Sequence, residues 1–192
     1  MSKAIMLSIR PKWCEKIASG EKTIEVRKSR PKLHTPFKCY IYCTQPRYPH
    51  EDYIETDYPK PQFYGGGKVI GEFTCDHIDE YDDDTIFSFR HEDYARWNDF
   101  GLDRACMHPE DFQNYADGKW LYGWHISDLK IYDVPKDLNE FWLPPELYCE
   151  KERCGGCPYD QAADVNGEYS FDCEWKRPLT RPPRSWCYVE EG

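Results

Sequence analysis

A chain of 192 residues with a formal net charge of −10 is long enough for one domain around a single core. That acidic balance excludes a protein that coats long duplexes through their phosphates, although a local cluster of basic residues can still hold a short anion. Aromatic residues make up 16% of the chain, with 15 Tyr and 7 Trp, and supply apolar area both for packing and for stacking on planar ligands.

The chain begins with an apolar run at residues 4–9, read as a strand that carries Ser8 near its end and stops at Arg10-Pro11. Residues 11–19 read as a helix with Pro11 at its first position, Trp13, Cys14 and Ile17 on one stripe, and Gly20 as its left-handed stop. Next comes Gly20-Glu21-Lys22-Thr23-Ile24-Glu25-Val26-Arg27, the one place where charges sit inside a regular strand pattern. Strand alternation sends Ile24 and Val26 to one side and Thr23, Glu25 and Arg27 to the other, with Lys22 at the entry. The charged side is either an ordinary wet surface or the floor of a polar cleft.

Residues 37–43 form a second strong strand that ends at Thr44, and residues 46–67, rich in proline and glycine, read as a long loop. Gly65-Gly66-Gly67-Lys68 is not a phosphate loop, because Val69 follows the lysine where Ser or Thr is required. Residues 69–75 read as a strand in which Gly71 permits a bend or a close backbone approach. Asp82, Asp83 and Asp84 lack the pattern of a calcium loop and read as solvated. Residues 84–118 turn helical and acidic, with a start at His108-Pro109 and a stop at Asp117-Gly118. Residues 120–131 return to strand character, and residues 185–189 form the last strand. Five or six strands with one early helix do not alternate as a doubly wound sheet would, so the expected class is α+β, mainly β, built as a small mixed barrel.

Ten cysteines would suit a disulfide framework in a secreted chain. Residues 1–7 lack the long apolar core and cleavage site of a signal peptide, and no stretch is long and apolar enough to span a membrane. The expectation is a cytoplasmic protein whose thiols are buried apolar groups or metal ligands. Cys149, Cys154, Cys157 and Cys173 are spaced C-x4-C-x2-C-x15-C in a segment too polar to build its own core. Four thiolates there suit structural zinc, with free thiols, a Cys154–Cys157 redox pair and an iron–sulfur cluster as the alternatives. The six histidines, His34, His50, His77, His91, His108 and His125, show no two at ligand spacing.

The chain resembles the ASCH family of the PUA-like superfamily, small β-barrel domains associated with RNA and modified nucleosides. The matching pieces are Ser8-Ile9-Arg10-Pro11, the helix leading into the Gly-x-Lys-x-x-Glu-x-Arg pattern of residues 20–27, Tyr40-Ile41-Tyr42-Cys43-Thr44, Val69-Ile70-Gly71-Glu72-Phe73, and Arg181-Pro182-Pro183-Arg184-Ser185-Trp186-Cys187-Tyr188-Val189. The resemblance implies a cleft beside the charged strand, faced by Lys22, Glu25 and Arg27 and completed by Ser8, Thr23, Thr44, Ser185 and Trp186. Some members resemble amidohydrolases that deacylate modified cytidine with a Lys and, three residues later, a Thr nucleophile. Glu25 stands at that position here, and a carboxylate does not replace a hydroxyl activated by an amine. Other members resemble ribonucleases. Trp13, Tyr42 and Trp186 are expected to serve chiefly in packing, with Trp186 the strongest of the three for a ligand role.

The expected organisation is a barrel over residues 1–138 and 178–192, with a helical insertion near 84–118 and a cysteine-containing insertion, a zinc knuckle, over 139–177. The expected function is recognition of RNA or a small nucleotide-derived ligand. The alternatives are a metal-independent hydrolase, for which Lys22 and Glu25 are the catalytic candidates, and a protein-interaction scaffold.

Overall fold

The computed structural model describes residues 2–45, 66–82, 85, 101–144 and 177–191. Among the described residues, eight strands form two sheets. The larger has the order β7-β4-β3-β1-β8, drawn from β1 (Lys3–Ile9), β3 (Phe37–Cys43), β4 (Lys68–Cys75), β7 (Ser127–Lys136) and β8 (Trp186–Glu190). The smaller has the order β2-β6-β5, from β2 (Ile24–Arg27), β5 (Ile78–Tyr81) and β6 (Leu121–His125). β1 and β3 run parallel and every other named pairing is antiparallel. The fold is mixed and mainly β, as expected; the expected barrel takes the form of two sheets, with no ladder joining them among the described residues.

The near-continuous apolar character of β1 and β3 follows from their place in the middle of the larger sheet, where both faces are covered. Ile5, Leu7, Ile9, Cys39, Ile41 and Cys43 point to one core, together with Cys14 and Ile17 of the first helix and Trp124 of the smaller sheet. Ala4, Met6, Tyr40, Tyr42 and Val189 point to the other, under Leu138, Phe141 and Leu179. Gly71 permits a close approach of β4 to β7: a Cβ there would lie 2.5 Å from the Lys130 carbonyl oxygen.

Helix α1 (Pro11–Ala18) has Pro11 in its first turn, buries Cys14 and Ile17, and yields to Gly20 at φ +79°. Helix α2 (Pro109–Ala116) starts after His108 and stops at Asp117 in the left-handed region. Both match the sequence signals. α2 and the 3-10 turn Leu102–Ala105 lay Leu102, Ala105, Phe112 and Ala116 over Ile24, Val26, Tyr81 and Leu121, a separate core on the outer face of the smaller sheet.

Two features depart from the sequence reading. No strand is expected between residues 75 and 120, yet β5 lies there, just before Asp82; it pairs with β6 and buries Tyr81. The strand expected over 120–131 breaks at Ile126 into β6 and β7, one in each sheet. No helix among the described residues is long and apolar enough to cross a membrane.

Candidate functional site

All four residues of β2 are buried. Register separates its faces: Ile24 lies opposite His125 and Val26 opposite Gly123, whereas Glu25 lies opposite Trp124 and Arg27 opposite Tyr122. Ile24 and Val26 enter the α2 core, as alternation requires, while Glu25 and Arg27 face inward with Trp124, which meets Phe37 of the larger sheet edge to face at 5.7 Å. The wet-surface reading is thereby overturned: Lys22, Glu25 and Arg27 are 2%, 6% and 7% exposed.

The turn after α1 delivers Lys22, whose backbone N–H donates to the Lys16 carbonyl at 2.8 Å. Its Nζ donates to the Ala105 carbonyl at 2.6 Å, lies 3.4 Å from Glu25 Oε2, and sits 5.0 Å from the centre of the Trp13 ring. Arg27 Nη2 reaches Glu25 Oε1 at 3.0 Å and donates to the Ser8 carbonyl at 2.8 Å. Its Nη1 stands 3.4 Å from both the carbonyl and the hydroxyl of Ser185, long for a hydrogen bond. Arg27 Nε and Thr23 Oγ1 are buried without a partner.

Two cations thus share one carboxylate. Desolvating each ion costs several kcal/mol in round terms, and only attraction to a counter-charge and full hydrogen bonding offset it. Lys22 is well satisfied, whereas Arg27 keeps two weak contacts and one orphaned donor. Surplus positive charge and open guanidinium donors are the chemistry of an anion site, since the planar fork of arginine matches phosphate or carboxylate.

Of the residues that the resemblance groups with the triad, Ser8 and Ser185 touch Arg27 directly. The Ser8 hydroxyl donates to the Pro183 carbonyl at 2.6 Å, and the Ser8 N–H donates to the Ser185 carbonyl at 2.9 Å, so the end of β1 and the start of β8 are tied together here. Trp186 follows Ser185, packs against Trp124 at 6.1 Å and donates from Nε1 to Ser29 Oγ at 3.0 Å. Thr44 meets the end of β1 through its backbone, donating to the Ile9 carbonyl at 2.8 Å. Trp13 and Trp186 pack half-buried against the main core and Tyr42 is buried in the core on the other face of the larger sheet, as the packing expectation holds.

Sequence reasoning missed the α2 side of the site. Burial pushes the Tyr115 phenol up, and Arg27, Glu25 and Arg10 all lie near enough to act on it, Glu25 in the same sense as burial and the two arginines against it. Lys28 Nζ stands 5.1 Å from the Tyr115 ring. Beyond the buried group, the neighbours of Ser8, Arg27 and Ser185 in the chain include Arg10, Lys28 and Arg184, all exposed and cationic.

Cys149, Cys154, Cys157 and Cys173 lie outside the described residues. Among the described residues, His77, Asp79 and His125 come together, although sequence spacing separates the two histidines.

No family model matches the chain, and no significant relative appears among curated proteins. Solved structures do match. The ASCH protein of Zymomonas mobilis aligns over 98% of this chain and 88% of its own, with a TM-score of 0.53 at 17% identity. Two single-substitution variants of that protein, ZmASCH, align over 99% and 98% of this chain and 92% and 89% of their own, both with a TM-score of 0.54, at 17% and 16% identity. At this identity the likeness establishes architecture: the chain has an ASCH-like fold.

Proposed function

We propose that the protein binds a short single-stranded RNA or a small nucleotide-derived ligand at the Lys22–Glu25–Arg27 group, with a phosphate taken by Arg27. One observation carries this reading: two buried cations share a single carboxylate, and the guanidinium at the strand ends retains poorly used donors. Exposed Arg10, Lys28 and Arg184 extend positive charge outward along the chain, and Trp186 offers a half-buried ring beside Ser185 for a base. With a net charge of −10, the protein meets a short ligand better than a long one.

A hydrolase receives less support. The Ser8 hydroxyl is committed to the Pro183 carbonyl, both Glu25 oxygens meet cations, and the Lys22 amine is directed to Ala105 and Glu25. No hydroxyl is paired with a base among these residues, as nucleophilic catalysis requires.

Tryptophan fluorescence titration of the full chain with a short single-stranded RNA and with nucleoside monophosphates tests the reading, with the same mixtures assayed for cleavage. Saturable binding without turnover is expected, weakened about tenfold or more by Arg27→Lys, which loses the fork. Equal affinity of Arg27→Lys, or no binding of either ligand, overturns it; cleavage abolished by Lys22→Ala establishes the hydrolase in its place.

A further inference from the structure

The outer face of the smaller sheet carries a second polar cluster, independent of the site above. His125 closes β6, Asp79 lies in β5, and His77 occupies the two-residue link between β4 and β5. Ladder register brings them together: His125 N–H donates to the His77 carbonyl at 3.0 Å, and Asp79 lies opposite Gly123, two residues before His125. The Asp79 carboxylate stands between the imidazoles, 3.1 Å from His77 Nε2 and 2.7 Å from His125 Nε2. One ligand atom from each of the three residues fits within 4.8 Å of the others.

We infer that His77, Asp79 and His125 form a binding site for a first-row divalent transition metal of the zinc or nickel class. Donors around a tetrahedral ion with bonds of about 2.1 Å stand about 3.4 Å apart. The histidine–aspartate distances of 3.1 and 2.7 Å are hydrogen-bond spacings to the two carboxylate oxygens, so an ion that replaces those hydrogen bonds spreads the donors by less than about 1 Å, and the exposed His77 ring has room to turn. Two imidazoles and one carboxylate select borderline metals over calcium or magnesium, which take oxygen ligands, and three protein ligands leave a position open for water or substrate. His125 is 20% and Asp79 29% exposed at the side chain and His77 is 63% exposed, so an ion has a path in.

The supporting shell is built. Tyr81 is buried and its hydroxyl donates to Asp79 Oδ2 at 3.2 Å, fixing the carboxylate. Gly123 makes this contact possible, because a Cβ at that position would lie 2.9 Å from the Tyr81 oxygen. The His77 and His125 rings meet edge to face at 5.1 Å. Nearby Asp76, exposed and accepting from the Ser127 hydroxyl, adds negative charge that favours a cation.

The test uses the full chain, with the cysteines as an internal contrast. Zn2+ and Ni2+ are titrated against a chromophoric chelator, and Co2+ binding is followed by visible absorption, where thiolate ligands announce themselves by charge-transfer bands. Imidazole NMR resonances of His77 and His125 are expected to shift together at one equivalent of bound metal. His77→Ala, an exposed change that spares the fold, is expected to lose this binding by about 100-fold or more, and Tyr81→Phe by about tenfold, with any thiolate bands unchanged. Unchanged metal stoichiometry and affinity in His77→Ala, or imidazole resonances that stay fixed in the wild type at millimolar Zn2+, overturn the inference.

Discussion

Two polar clusters occupy opposite faces of the β2-β6-β5 sheet. Lys22, Glu25 and Arg27 face the main core and are almost wholly buried, with one more positive charge than negative. His77, Asp79 and His125 sit on the face of Ile24 and Val26, at the sheet's end, and remain open to solvent. The first is held by long-range contacts to Ala105, Ser8 and Ser185, the second by strand register and the Tyr81 hydroxyl. Burial makes the first cluster intolerant of change, whereas exposure leaves the second almost neutral for stability; the first is proposed to take an anion and the second a cation.

The largest break in that contrast comes from Glu25→Gln. It leaves two buried cations without their counter-charge, and urea unfolding is expected to show a loss of about 3–5 kcal/mol. Replacing the whole group, as Lys22→Met/Glu25→Leu/Arg27→Met, removes the buried charges together and is expected to recover most of that loss while abolishing ligand binding. A triple variant as unstable as Glu25→Gln would make the group a requirement of the fold.

The thiols of the main core carry a second signal, at alkaline pH. Burial first, then Cys43 and Glu25, pushes the Cys14 thiol well up; burial does the same to Cys39 and lifts Cys75 from 9.0 to about 12. A raised acid keeps its proton in the folded chain after the unfolded chain has lost it. The unfolded state then binds fewer protons between about pH 9 and 12, and stability falls through that window by at most about 1.4 kcal/mol per pH unit for each thiol. Below pH 8 these groups have no effect. Cys75→Ala is expected to flatten the decline in unfolding experiments across this range, and an equally steep decline would assign it to other groups.

Arg27→Lys is expected to be milder. It keeps the charge and loses the fork that joins Glu25, Ser8 and Ser185, a cost of about 1–3 kcal/mol in stability by urea unfolding.

Local signals carried much of this fold. Pro11 and Gly20 bracket α1, Pro109 and Asp117-Gly118 bracket α2, and the apolar runs of β1 and β3 mark strands covered on both faces. Alternation also sorted Ile24 and Val26 from Glu25 and Arg27. It could not say what covers the charged face, because that depends on Ser8, Ser185 and Ala105, the last 83 residues from Lys22 in the chain. β5 escaped notice because Asp79 and Glu80 outweigh Ile78 and Tyr81 in composition, and pairing with β6 decides their conformation. The histidines escaped for the same reason. His77 and His125 have no ligand spacing along the chain, and only the register of two strands makes them neighbours.

The smallest expected effect belongs to the exposed cluster. Without metal, His77→Ala removes a ring that is mostly in solvent and breaks no core contact, so its stability should lie within about 0.5 kcal/mol of wild type. Metal makes the two proteins diverge. A ligand that binds only the folded chain stabilises it by about 2.7 kcal/mol at a free concentration one hundred times its dissociation constant. Unfolding followed with and without added Ni2+ should therefore show a larger shift in wild type than in His77→Ala, any contribution from thiolate-bound metal being the same in both. The Glu25→Gln variant should keep the same shift on its lower baseline, because the sheet separates the two clusters. Loss of the metal-dependent shift in Glu25→Gln would show that the buried group and the exposed one are coupled through β2 and β6.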